Sequence, residues 1–320
     1  MQNRITQILN IKYPIVQAPM SWMTDAKLVA AVAEAGGLGF LAPHAGQTTN
    51  PTSNEDVLER LRNEIRKTKA LTDKPFGVPV ILSYDFAMIP LVANLLIEER
   101  VPVVLINGLL DEALFCQFKQ AGMTIIYRAL TPSIEDSQAA ERLGADILVV
   151  TGFDEGGTVP EKIIGSFSAV SHIVDSVTVP VMLAGGVADV RGVRAAFALG
   201  AEGVWVGTAF LATTESRMAD NVKELLVKTT ANDLHIYRTN PAYYRSVPTA
   251  LSARLVAMDA QGVSRDEIEK ASKAGTGMRL GMLEGDLENG YISVGNGVSL
   301  IKEIRPVKAL IDDLMQDFKA

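Results

Sequence analysis

Two glycine-bearing turns carry the clearest chemistry in this 320-residue chain. One reads Ala184-Gly185-Gly186-Val187, the other Val206-Gly207-Thr208-Ala209-Phe210. Adjacent glycines let the backbone pass close to a ligand and aim N–H groups at it. Gly207-Thr208 adds an amide and a hydroxyl that can both donate to phosphate oxygens, and a helix starting after each turn would add a favourable dipole. One such turn alone is a tight bend. Two at equivalent points of successive repeats point to a shared phosphate.

Other residues could surround that phosphate. In Gln17-Ala18-Pro19-Met20-Ser21-Trp22, Ala18 and Met20 offer backbone groups and a soft apolar surface to a flat ring, and Pro19 has no N–H to give. Core packing explains the same residues equally well. Thr151-Gly152-Phe153-Asp154-Glu155-Gly156-Gly157-Thr158 is a polar, glycine-rich loop. Its two adjacent acids could act in catalysis, although such pairs are usually solvated. His44 is a candidate ligand contact or proton donor. Arg128 ends an apolar run, where a charge must face an opening rather than a core. It could meet a phosphate, a ring oxygen or an acidic substrate. His172 and His235 read as surface or packing residues. No HExxH, paired CxxC or other metal spacing occurs, and no Ser–His–Asp arrangement is suggested. GxGxxG is also missing, so a nicotinamide cofactor would at most be a visiting reductant.

The elements that must position these residues alternate. Short apolar runs, such as VPVVLI, ADILVV and VPVMLA, are followed by segments with helical spacing. Successive apolar residues mark strands buried on both faces, hence parallel strands covered by helices. The expected strands are Ile15–Met20, Leu38–Pro43, Phe76–Leu82, Val101–Asn107, Met123–Leu130, Asp146–Thr151, Val179–Ala184 and Gly203–Phe210. The helices between them begin with Asp25–Ala35, Asn54–Lys69 and Phe86–Glu99, continue with Asp111–Gln120 and Ser133–Leu143, and end with one inside Ser166–Ser176 and Val190–Leu199. Eight such units close a (β/α)8 TIM barrel, with an open doubly wound sheet as the rival. In a barrel, active sites lie at the C-terminal ends of the strands, and phosphates sit after strands seven and eight, where both glycine turns fall.

The alternation stops after Phe210. Residues 1–214 are expected to form the barrel, 215–300 a helical insertion over its mouth, and 301–320 a helix that returns to the outer ring. Within the insertion, Thr239–Pro248 reads as irregular and Thr276–Val298 as a glycine-rich loop.

Bulk properties narrow the function. A net charge of −7 disfavours nucleic acid as the main partner. No apolar run reaches the ~20 residues of a membrane span, and the N-terminus lacks a secretory signal. The single cysteine, Cys116, excludes an intrachain disulfide, fits a cytoplasmic setting and reads as a small packed residue.

The segments RITQILNIKYPIVQAPM, AGGLGF, DKPFGV, AERLGAD, GFDEGGT, VPVMLAGGVAD and ALGAEGVWVGTAFLAT span residues 4–214. Together they resemble the FMN-dependent nitronate monooxygenases, a family similar to the FMN-dependent enoyl-acyl-carrier-protein reductases. The resemblance implies FMN across the barrel mouth, with its phosphate on Gly185, Gly186, Gly207 and Thr208. It implies a ring near Ala18, Pro19 and Met20, with Gly157 and Arg128 close by. The implied reaction is oxidation of an alkyl nitronate with O2. NAD(P)H-dependent reduction of an enoyl thioester or quinone is the alternative, and a non-redox barrel holding a phosphorylated substrate is a third reading. Two positions depart from the family pattern. Thr158 stands where many members carry a histidine assigned to catalysis, and Pro79 where many carry asparagine. Thr158 can hydrogen-bond a substrate oxygen, and His44 is the candidate to replace the absent imidazole. Neither the small-molecule substrate, the electron donor nor the oligomeric state, a homodimer included, is written in a motif.

Overall fold

The computed structural model describes residues 3–82 and 87–318. Strands β1 (Ile15–Gln17), β2 (Leu38–Phe40), β3 (Phe76–Leu82), β4 (Val103–Gly108), β5 (Thr124–Arg128) and β6 (Ile147–Thr151) follow one another around a barrel. A short strand, β7 (Gly157–Val159), leaves it, and β8 (Val181–Ala184) and β9 (Gly203–Val206) complete it. Closure is parallel throughout, with Val16 of β1 opposite Trp205 of β9. The fold is a (β/α)8 barrel, and the open-sheet rival is excluded.

Burial on both faces explains the unbroken apolar strands. Val16, Phe40, Leu105, Ile126, Val149, Met182 and Trp205 fill the interior, while residues such as Ile15, Val104, Ile125 and Val204 pack outward among the helices. The short helix Arg4–Leu9 adds Ile5 and Leu9 to the interior cluster. Its Arg4 pairs with Glu202, just ahead of β9. That plug seals the N-terminal end, so a ligand has only the opposite end to enter. Asp25, Ser53, Asp111 and Ser133 each cap a barrel helix through the side chain, satisfying amides that the first turn leaves unpaired. The helix expected from Phe86 spans Met88–Glu98; Phe86 itself lies outside the described residues. No helix among the described residues is long and apolar enough to cross a membrane.

Several expectations need correction. The eighth barrel strand stops at Val206, and Thr208–Leu211 is a single helical turn. Gly207 breaks the ladder there. Thr239–Pro248 is not irregular. It contains β11 (Tyr243–Val247), paired antiparallel with β10 (His235–Arg238). The other edge of β11 takes β7 and then β12 (Ile292–Ser293). These strands are too short and too far apart in sequence to show a period. Thr276–Val298 is also structured: helix Ala274–Met278 runs into a π-helical turn at Arg279–Leu283, and β12 follows. The segment after β9 therefore carries a small sheet beside its helices, Asp220–Lys228, Ala250–Ala260 and Arg265–Ser272. Cys116 is exposed rather than packed. Helix Val307–Leu314 packs between helices Ala26–Glu34 and Val190–Ala198, the place of the barrel's eighth helix.

Candidate active site

The strand ends, the 152–158 loop and the cap over them enclose a cavity of about 720 Å³, a size typical of pockets for small molecules and cofactors. Ala18, Pro19, Met20, His44, Arg128, Gly157, Thr158, Gly185, Gly186, Gly207 and Thr208 all line it. The structure thus brings these eleven residues to one cavity, although they lie up to 190 positions apart.

The turns after β8 and β9 form one side. Gly185 and Gly186 have φ of 95° and 82°, a left-handed conformation that side chains rarely adopt. A Cβ on Gly186 would lie 3.3 Å from Cβ of Asp154. Among the described residues, the amides of Gly186, Gly207 and Thr208 make no loop or cap hydrogen bond to the backbone. Thr208 Oγ1 accepts from the amide of Gly295 at 2.9 Å, which leaves its own hydrogen for another acceptor. Such donors fit a phosphate. The helix dipole contributes less than the sequence suggests, because Asp189 already caps Val190–Ala198 by accepting from Arg191 and Gly192. Gly295 and Gly297, from the far end of the chain, complete this side of the cavity. They were missed as site residues because no spacing links them to the barrel repeats.

A second side comes from β1. Gln17 is fully buried, accepting from the amide of Phe40 at 3.2 Å and donating to the carbonyl of Ala18. The amide of Ala18 donates to Val206 at 2.9 Å. This fixes Ala18-Pro19-Met20 beside Gly207. Next to it, Trp22 and His44 stack at 4.2 Å, and both have positive φ. Non-glycine residues held there mark a segment over-determined by its surroundings. Ser21 Oγ and His44 Nδ1 are 3.2 Å apart. Burial holds His44 below its usual pKa, with Arg60 pushing the same way. Its imidazole is neutral near pH 7. Pro79 sits in β3 and lines the cavity without an amide.

The polar floor was the least legible part. Arg128 donates from Nε to Thr151 (2.9 Å), from Nη1 to Asn107 (2.9 Å) and from Nη2 to Glu155 Oε2 (2.5 Å). Asp154 and Glu155 are therefore not a solvated pair. Asp154 accepts from the amide of Ser166 at 2.7 Å and from Asn296 at 3.0 Å. Glu155 turns inward, its side chain only 15% exposed. Arg245 anchors the loop from β11, donating to the carbonyls of Phe153 and Glu155. On the capping side, Thr158 lies opposite Tyr244 in the β7–β11 ladder, and Tyr244 meets Ser293 and lines the cavity. Tyr243 faces Phe153 edge-on instead.

Burial pushes the Glu155 carboxyl from its ordinary 4.5 up to about 7, against the opposing pull of Arg128 and Arg245. Between those values the folded state holds a proton that the unfolded chain has lost, so stability falls as pH rises through the window. The Glu155→Gln variant is expected to give a flatter curve of melting temperature against pH over this range. Thermal melts of both proteins check it; parallel curves would show that Glu155 does not titrate there.

Comparison with known proteins shows the family and a shared fold. A family profile described as nitronate monooxygenase matches residues 2–317. A probable nitronate monooxygenase of Staphylococcus haemolyticus is 34% identical over 274 residues, 72% of this chain and 73% of that protein. A Rhodococcus jostii protein, named as a (3aS,4S,5R,7aS)-5-hydroxy-7a-methyl-1-oxo-octahydro-1H-indene-4-carboxyl-CoA dehydrogenase, is 30% identical, covering 99% of this chain and 96% of its own length. The structure of FabK from Thermotoga maritima superposes with a TM-score of 0.87 at 33% identity, over 99% of this chain and 96% of that one. By the match along almost its whole length, and by relatives that share its barrel, the chain belongs to the nitronate monooxygenase family of flavin-dependent oxidoreductases.

Proposed function

We propose that this protein binds FMN across the barrel mouth and oxidises alkyl nitronates with O2. The observation that carries the reading is the convergence of two glycine turns and the Ala18-Pro19-Met20 segment on one cavity. FMN, when bound, supplies the electron acceptor and the centre that reacts with oxygen; the protein supplies position and electrostatics. Gly185, Gly186, Gly207 and Thr208 would hold the phosphate. Ala18, Pro19 and Met20 would support the ring, with Arg128 and Gly157 at its polar edge. Thr158 would donate its hydroxyl hydrogen to a substrate oxygen, since it cannot serve as a base near pH 7. Neutral His44 would contact the ligand from the β2 side.

One observation favours a second reading. Val57 and Leu61 of helix Asn54–Leu71 and Ile89 and Val92 of helix Met88–Glu98 add an apolar patch to the cavity lining. A small nitronate has no use for that patch, whereas an enoyl thioester reduced with NAD(P)H could lay its acyl group against it.

The visible spectrum of the purified protein, followed by anaerobic addition of alkyl nitronate, NADH or NADPH, separates the readings. The expected result is a yellow protein bleached by nitronate, with oxygen consumed on re-aeration. Bleaching by NADPH and not by nitronate would move the assignment to the thioester reductase. A colourless protein that takes up no FMN would overturn both and leave a non-redox phosphosubstrate barrel.

A further inference from the structure

Among the described residues, three charged side chains line the cavity: Arg128, Glu155 and Glu269. Arg128 and Glu155 meet on the floor and offset one another. Glu269 has no such partner. It stands half-buried on the cap, in helix Arg265–Ser272, and its Oε2 accepts from Nδ2 of Asn240 at 2.9 Å. The same Nδ2 donates to Asp266 at 2.6 Å, so one neutral amide serves two carboxylates. The cap's guanidiniums are engaged elsewhere. Arg238 pairs with Asp259, Arg254 with Glu288 and Arg279 with Glu284, while Arg265 donates to the carbonyl of Pro241. Lys270 and Lys273 are exposed. Oε1 of Glu269 accepts no hydrogen bond among the described residues and is not sealed from solvent. Glu269 thus brings an uncompensated negative charge to the cavity wall.

Aromatic surface adjoins this charge. Tyr237, Tyr244 and Tyr291 line the cap side of the cavity. Tyr237 stacks on Tyr244 with ring centroids 5.8 Å apart, and Tyr291 meets Tyr244 edge-on at 5.0 Å. The helix that carries Glu269 packs against these rings through Ile268. Ser272, three positions after Glu269 and so on the same helix face, lines the cavity with it. A carboxylate beside tyrosines suits an organic cation: the carboxylate accepts charge-assisted hydrogen bonds, and aromatic rings attract positive charge.

We propose that Glu269 is a specificity-determining residue that receives a primary ammonium group on the substrate. The inference rests on the proposed function and narrows its substrate class to nitronates that carry an amine at the end remote from the reacting carbon. The ammonium donates to Oε1 of Glu269 on the cap. The anionic nitronate end lies toward Arg128 and the glycine amides of the barrel mouth. A nitronate with a carboxylate in place of the amine is repelled at Glu269, so one charge both selects and rejects.

The test compares flavin-loaded wild type, Glu269→Gln and Glu269→Lys on ω-amino, unsubstituted and ω-carboxy alkyl nitronates of equal chain length. Wild type is expected to prefer the amine over the carboxylate by roughly 10-fold in kcat/KM, carried by KM, because the same half-exposed charge attracts one and repels the other. The preference should shrink at high salt. Glu269→Gln should bring the two close to even, and Glu269→Lys should invert the order. A second readout needs no turnover: calorimetric binding of hexylammonium and of hexanoate, with the same order and the same changes expected. Equal affinity for the two ions, binding of neither, or a preference that survives in Glu269→Gln would overturn the assignment. Wild type that oxidises all three nitronates without preference would overturn it while leaving the proposed function standing. Selectivity for hexylammonium that depends on Glu269, in a protein that oxidises no nitronate, would remove the proposed function and keep Glu269 as the group that recognises a cation.

Discussion

Gly186→Val is expected to give a folded protein that purifies without flavin. Gly186 has φ of 82°, and a side chain there would meet Asp154 at 3.3 Å from the first carbon. Valine is among the residues least able to hold that conformation, at a cost of about 1–3 kcal/mol. The turn relieves that strain by rotating its amide away from the cavity. Losing one or two charge-assisted amide bonds to phosphate, worth about 1.5–3 kcal/mol each, weakens FMN binding by roughly 10- to 10⁴-fold. Gly122→Val is the control. Gly122 has φ of 70° with nothing within 4 Å of a Cβ and lies outside the cavity, so it should lose stability and keep its colour. Fluorescence titration with FMN measures both. Full occupancy in Gly186→Val would place the phosphate away from this turn.

Arg245→Met should produce the second large effect, on stability and activity together. Arg245 is 3% exposed, and its Nη1 donates to the carbonyls of Phe153 and Glu155 while the guanidinium lies 5.0 Å from the Phe153 ring centroid. Methionine fills similar space but leaves two buried carbonyls unpaired, at about 1–3 kcal/mol each. A loss of roughly 3–5 kcal/mol is expected in urea unfolding. The 152–158 loop, which places Glu155, Gly157 and Thr158, would also open to proteolysis at lower protease concentration than in wild type. Arg245→Lys keeps the charge and a donor nitrogen but not the planar guanidinium over the Phe153 ring, so it should fall between the two. A methionine variant with the stability and loop protection of wild type would show that β11 does not hold this loop through Arg245.

The sequence by itself determined the barrel, because its strands are buried on both faces and a strand so placed is apolar along most of its length. Val103 to Ile106 and Ile147 to Val150 show this directly. It also determined where a phosphate could go, because only a backbone free of side chains can present amides as Gly185, Gly186 and Gly207 do. Tertiary structure alone decided the polar floor and the cap. Glu155 looked like a solvated loop acid, since nothing local shows that Arg128, 27 positions earlier, and Arg245, 90 positions later, would close over it. The β7–β11–β12 pairing was equally hidden, since strands of two to five residues have no period, and their partners are chosen by the three-dimensional path of the chain. Periodic burial is written residue by residue and can be read in order. Charge pairing across the mouth depends on which strand ends meet, and closing the barrel settles that.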